Sequence, residues 1–189
     1  TEYSAVRLLG RLYGEDTSAL EGELVRLGFL DTRRAEYLLN PRVPMHGRAW
    51  DFEAYDYVVA AYSKPTLALL TLERTLGSET MLDLMHTFYQ TYRFDHPGTE
   101  EFRAVAERVS GQDLAWFFDG LVCTDGVVNY TVGDLDAGSV TAIREGDLVV
   151  PTEILITFAD GSTVTEPGDG RDAHSRVRRT ILRQRRRGR

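Results

Sequence analysis

Cysteine and lysine each occur once in this chain, as Cys123 and Lys64, among 189 residues. A lone cysteine excludes an internal disulfide, leaves the redox compartment open, and reads as a small core residue rather than a reactive thiol. Long apolar runs are also missing. None approaches the roughly 18 residues that a membrane-spanning helix needs, and the first residues lack the basic segment and apolar core of a secretory signal, so no membrane partner is expected. Nor does the chain open on methionine. Thr1 is followed at once by helix-like sequence, which leads us to expect a piece cut from something longer. None of these features assigns a cellular compartment.

What is present suffices for folding. Apolar residues make up 42% of the chain, enough for a core in one good-sized domain or two small ones. The net charge of −7 is unevenly spread. Residues 171–189 hold nine arginines and one acid, Asp172, for +8, whereas residues 1–170 hold thirteen bases against twenty-eight acids, for −15. So acidic a body repels nucleic acid, and only the tail would attract a polyanion. With Ala173, Val177, Ile181 and Leu182 as its apolar residues, the tail has little to pack and reads as disordered.

The periodicity predicts an α+β chain, mainly a helical bundle followed by a small β-rich segment. Residues 1–123 form the helical part, 124–168 the β-rich part and 169–189 the arginine-rich tail. In the first helix Val6, Leu9 and Tyr13 share a face with Leu8 and Leu12 beside them, and Leu20, Leu24, Leu27 and Leu30 continue the helical period after Gly14. The stretch from Asn40 to Asp51, with Pro41, Pro44 and Gly47, is a loop. Pro65 fits a first helical position, and Leu67, Ala68, Leu69, Leu70, Leu72 and Leu76 make a helix apolar on nearly all sides until Gly77. Ser78 caps a helix bearing Met81, Met85, Phe88 and Tyr92. Thr99 caps another with Phe102, Val105, Ala106 and Val109 inward, and Glu100 and Glu101 suit its positive end. Leu114, Phe117, Phe118 and Leu121 repeat the helical period. Beyond Cys123 the runs 127–132, 139–144, 148–158 and 162–165 read as strands, with Asp160-Gly161 a hairpin turn.

Four stretches in this order carry a resemblance. They are Tyr62-Ser63-Lys64-Pro65 with the leucine-rich helix to Gly77; Tyr92, Arg93, Phe94, His96 and Pro97; the run from Val109 through Ser110, Gly111, Asp113, Leu114, Trp116, Phe117 and Phe118 to Asp119; and Gly126, Val127, Val128 and Tyr130. Together they resemble the aminopeptidase N type of zinc metallopeptidase, the gluzincins, over residues 54–132, and more loosely over the later strands. The family's zinc is held by two histidines of a His-Glu-x-x-His helix and a glutamate on the next helix. That spacing places both imidazoles on one helix face, with the intervening glutamate as general base. This chain has no such motif; His46, His86, His96 and His174 are scattered singly. Thr1-Glu2-Tyr3-Ser4 is similar to the family's segment just after the third zinc ligand, so the resemblance covers only the second half of a catalytic domain.

The resemblance implies a carboxy-terminal part of a zinc-dependent aminopeptidase. Zinc would belong to the parent protein, with none expected in this chain, and the partners would be a peptide substrate and the missing amino-terminal part. It also implies that Tyr62 is catalytic, its phenol donating a hydrogen bond to the oxygen that turns negative as the scissile carbonyl is attacked. Tyr57, five residues earlier, is the rival. Lys64 is expected to snorkel from the helix start or pair with an acid. His96-Pro97 shapes a turn, Asp113 suits a helix start, and Trp116, Phe117 and Phe118 belong to the core. Pro65 stands where many relatives have glycine, and Gly120-Leu121 where the family has a polar residue and tryptophan. An alternative is a non-catalytic helical scaffold that binds a protein partner. A third reading, polyanion binding through the tail, entails salt-dependent association. Exposed apolar surface on such a half-domain leads us to expect homo-oligomers.

Overall fold

The computed structural model describes residues 1–14, 18–21, 26–136, 139–158, 160–168, 170 and 174–178. The fold is α+β, in two compact units, Thr1–Val127 and Val128–Arg189. The division falls just beyond Cys123.

The first unit is built on helices. Helix α1 spans Glu2–Tyr13 and stops at Gly14, whose φ of 94° few other residues adopt. Strands β1 (Ser18–Glu21) and β2 (Arg26–Gly28) come next as an antiparallel pair. Here the expected helix is corrected at Leu20 and Leu27, while Leu24 lies outside the described residues. Gly22 and Gly28 interrupt that leucine pattern, and each costs a helix about 1 kcal/mol relative to alanine. Helix α2 (Asp31–Leu39) leads into the loop from Asn40, which holds one 3-10 turn at Ala49–Asp51. Helix α3 (Ala54–Val58) then continues through a π-turn, Val59–Ser63, into α4 (Lys64–Leu76). After α5 (Ser78–Tyr92) and α6 (Thr99–Ser110) comes a second π-turn, Trp116–Val122.

Helix α4 is the hub, packing against α1, α2, α5 and the second π-turn. Its residues Ala68, Leu72 and Leu76, one turn apart, are buried, while Leu67, Leu69 and Leu70 are half-buried, so its apolar surface is only partly enclosed. Gly77 (φ 85°) ends α4 by donating to the Glu73 carbonyl, and the same residue caps α5. Ser78 is therefore the first helical residue rather than the cap. Gly98, not Thr99, likewise precedes α6, and the Glu101 carboxylate accepts its N–H at 2.8 Å. Met81, Val105, Ala106, Leu114, Phe117, Phe118 and Leu121 are buried, as the periodicity predicts; Leu84 is buried as well, while Met85, Phe88 and Tyr92 are half-buried. Edge-on ring contacts link Phe88, Phe102, Phe118 and Phe117 at centroid separations of 5.0–6.0 Å. Cys123 is exposed, which corrects its reading as a core residue; it closes the second π-turn through its backbone N–H to the Phe118 carbonyl.

The second unit holds a three-stranded antiparallel sheet in the order β3 (Tyr130–Asp136), β4 (Ser139–Arg144), β7 (His174–Arg178), and a hairpin of β5 (Thr152–Thr157) and β6 (Thr163–Gly168). Asp160-Gly161 makes the hairpin turn, with φ 81° at Gly161 and the Asp160 carboxylate accepting the Ser162 N–H at 3.0 Å. Strand β7 comes from the arginine-rich segment that composition reads as disordered. The rest of that segment, residues 171–173 and 179–189, lies outside the described residues. Tyr130 donates to the Val150 carbonyl at 3.2 Å, and Gly170 passes so near both groups that a Cβ there would overlap them.

Truncating the hub should be costly. Leu72→Ala is expected to lower the unfolding free energy in urea by about 2–5 kcal/mol, and Leu82→Ala, on the exposed face of α5, to change it by about 0.5 kcal/mol or less.

Candidate functional site

The site predicted around Tyr62 begins with a proline inside a helix. Residues 54–76 run as one helical path, and Pro65 lies within it rather than at its start. A proline in that position has no N–H to give, and its ring presses on the carbonyl four residues back, here that of Ala61. Widening the preceding turn relieves the crowding. The N–H of Lys64 reaches back five residues to the carbonyl of Val59, and the Thr66 hydroxyl donates to the Tyr62 carbonyl at 2.6 Å. The wide turn buries Val59, Ala60 and Ser63 and leaves Ala61 and Tyr62 at the surface.

Tyr62 is 39% exposed, and its ring meets that of Tyr57 edge-on with centroids 6.0 Å apart. The residue is therefore not sealed in the core. Tyr57, the rival candidate, is half-buried and forms the inner partner of this pair. The two residues after Tyr62 are anchors. The Ser63 hydroxyl donates to Glu36 of α2, whose carboxylate also pairs with Arg33 at 3.0 Å.

Lys64 departs from expectation. It does not snorkel and, among the described residues, forms no ion pair: the residue is 2% exposed, and its Nζ donates to the carbonyls of Val43 at 2.9 Å and Pro41 at 3.2 Å. Those carbonyls belong to the loop after α2, which is tied down at several further points. Val43 is buried with Val59 and Ala60, and Phe52 packs against that cluster. Gly47 lies so close to the Phe52 ring that a Cβ would sit 2.7 Å from it. Asn40 donates to Asp56 of α3 at 2.8 Å.

Burial holds the Lys64 amine below the usual lysine range; Asp125 opposes the shift and Arg42 adds to it. The unfolded chain keeps the ordinary value, so below the folded value both states are charged and the burial penalty is complete. As pH rises from the folded value towards 10.5, the folded state releases its proton first and stability increases. The urea midpoint of the native chain minus that of Lys64→Met should therefore rise as the pH approaches 10.5 from below. A flat difference would show that burial does not perturb the amine.

The other candidates lie apart from this turn. The Asp113 carboxylate accepts the Ala115 N–H at 2.9 Å where the second π-turn begins, and Phe117 and Phe118 are core. Asp95 accepts the His96 N–H at 2.8 Å in a surface turn whose Phe94, at φ 68°, is fully exposed. Among the described residues, no group of three or more His, Cys, Asp or Glu side chains is placed to hold a metal ion. The described residues thus do not fit a zinc site.

A cleft of about 620 Å³ opens elsewhere in the helical unit, lined by Arg7 of α1, Asp31 and Arg34 of α2, and Glu73 and Arg74 of α4, and Tyr62 is not part of it. Glu73 accepts from Tyr3 at 3.0 Å and pairs with Arg7 at 3.0 Å, tying α1 to α4. Burial, then the Glu73 charge, raise the Tyr3 phenol far above its ordinary value. Sequence reading missed Glu36, Tyr3 and Glu73 as anchors. An acid in the middle of a leucine-rich helix was the available signal for Glu73.

No protein-family model matches the chain, and no curated protein sequence does. Among solved structures, the chain is similar to Legionella pneumophila aminopeptidase A, crystallised in complex with aspartic acid. The TM-score is 0.62 at 15% sequence identity, over 93% of this chain and 20% of that one. The likeness is one of fold, and this chain spans about a fifth of the other protein's length.

Proposed function

We propose that this chain is part of a zinc-dependent aminopeptidase and that Tyr62 is its oxyanion-stabilising residue. The observation that carries the reading is the state of the Tyr62 ring, exposed on a widened turn whose next two side chains are buried and anchored. The resemblance of Tyr62-Ser63-Lys64-Pro65 and the later motifs to the aminopeptidase N type supports it, and so does the fold shared with part of an aminopeptidase.

The chemistry asked of Tyr62 is that of a fixed donor. A tyrosine hydroxyl aimed at the carbonyl oxygen of a peptide's first bond gains strength as negative charge collects there in the transition state, and costs no reorganisation if its ring is already held. The metal and its ligands would have to come from outside the described residues, as would the groups that recognise the substrate's free amine. Leu8 and Leu12 of α1 and Leu38 and Leu39 of α2 are all exposed, and we read them as surface that the rest of such a protein covers. The same leucines favour a second reading, a helical scaffold whose function is to bind another protein.

The two readings separate on activity. In a protein that joins residues 1–189 to a zinc-binding segment, Tyr62→Phe should lower kcat by about 100- to 1,000-fold, with zinc content and KM little changed. Tyr57→Phe should stay within a few-fold of the parent. A joined protein without peptidase activity would leave the scaffold reading, and a Tyr62→Phe variant of undiminished kcat would remove the role of Tyr62. Residues 1–189 alone are expected to purify without stoichiometric zinc and to release no amino-terminal residue from a peptide; either property in the isolated chain would overturn the proposal.

A further inference from the structure

The buried amine of Lys64 calls for an explanation that packing does not supply. Methionine would fill a similar volume in this position without the penalty of taking a charge out of water. Among the described residues the ammonium has no carboxylate within ion-pair distance, and Asp125 acts on it only at longer range. What it has is two neutral backbone acceptors, both in the loop after α2, and an ionised donor makes such bonds roughly twice as strong as a neutral one. Lys64 also directly follows the turn that presents Tyr62. The loop and the turn are in contact independently, through Val43 with Val59 and Ala60, but apolar contacts of that kind fix distance better than direction.

We propose that Lys64 is the positioning residue of Tyr62, its ammonium pinning the carbonyls of Pro41 and Val43 so that the loop at 40–53 locks the widened turn and the ring it carries. The proposal rests on the reading of Tyr62 as the functional residue, and it assigns Lys64 no contact with substrate. Ser63, held by Glu36, secures the same turn to α2, so two consecutive side chains fix it to two different elements.

The test is hydrogen exchange by segment on residues 1–189 and on Lys64→Met. Amides in 40–53 and 59–66 should exchange at least about tenfold faster in the variant, with those of α5 and α6 unchanged. In 3-fluorotyrosine-labelled protein, the Tyr62 fluorine signal, assigned by its loss in Tyr62→Phe, should move towards that of a freely exposed ring while that of Tyr89 stays in place. Acceleration spread evenly over all helices, or none at all, would overturn the proposal, since a residue that only stabilises the fold gives the first and an idle one the second. Should Lys64→Met fail to fold, the native chain still decides. A through-hydrogen-bond coupling between the Lys64 ¹⁵Nζ and the ¹³C′ nuclei of Pro41 and Val43 supports the clamp, and its absence overturns it. These measurements need no catalysis. A clamp found intact alongside a fully active Tyr62→Phe would remove the functional reading, whereas a missing clamp alongside an inactive Tyr62→Phe would remove only the role of Lys64.

Discussion

A proline that cannot donate a hydrogen bond, placed in the middle of a helical path, sets the local geometry on which the rest of the helical unit is arranged. Pro65 forces the turn before it to widen, and the extra residue in that turn changes which side chains face inward. Val59, Ala60, Ser63 and Lys64 turn towards the interior, while Tyr62 is left outside. A regular turn would place these residues in a different rotational register relative to α4. Because α4 contacts α1, α2 and α5, that register has to be fixed at both ends, by the clamp on the loop near Lys64 and by the Tyr3–Glu73–Arg7 group further along.

Two of these fixings are polar groups inside a mostly apolar unit. Glu73 is satisfied by a tyrosine and an arginine from α1, and Lys64 by two carbonyls of a proline-containing loop. Each draws together elements distant in sequence, α1 to α4 and the 40–53 loop to α4. Apolar contacts alone tolerate sliding; a hydrogen bond between buried partners tolerates little, because breaking it leaves both ends unpaired.

Much of the architecture could be read from the chain. The helices carrying Met81 and Val105, the helical turn carrying Phe117, the Asp160-Gly161 hairpin and the loop at Pro41–Pro44 arise from periodicity and turn chemistry, which are local properties. The errors came where a distant partner decides. Leu20 and Leu27 match a helical period yet lie in a strand pair. Lys64 looks like a surface residue until the loop that covers it is present. The wide turn at Tyr62 was hidden for a related reason: a proline after a lysine reads equally as a helix start, and only the helix arriving from Ala54 makes it internal. The tyrosine was singled out by its motif alone, and nothing in its immediate sequence says that its side chain stays at the surface.

Hiding the only lysine has a practical corollary for chemistry performed on the folded chain. Reagents that acylate amines meet no accessible lysine within residues 1–189, because the Lys64 side chain is enclosed. A tag at residue 64 can be added only after the loop has lifted, so the extent of labelling there counts the molecules that have opened.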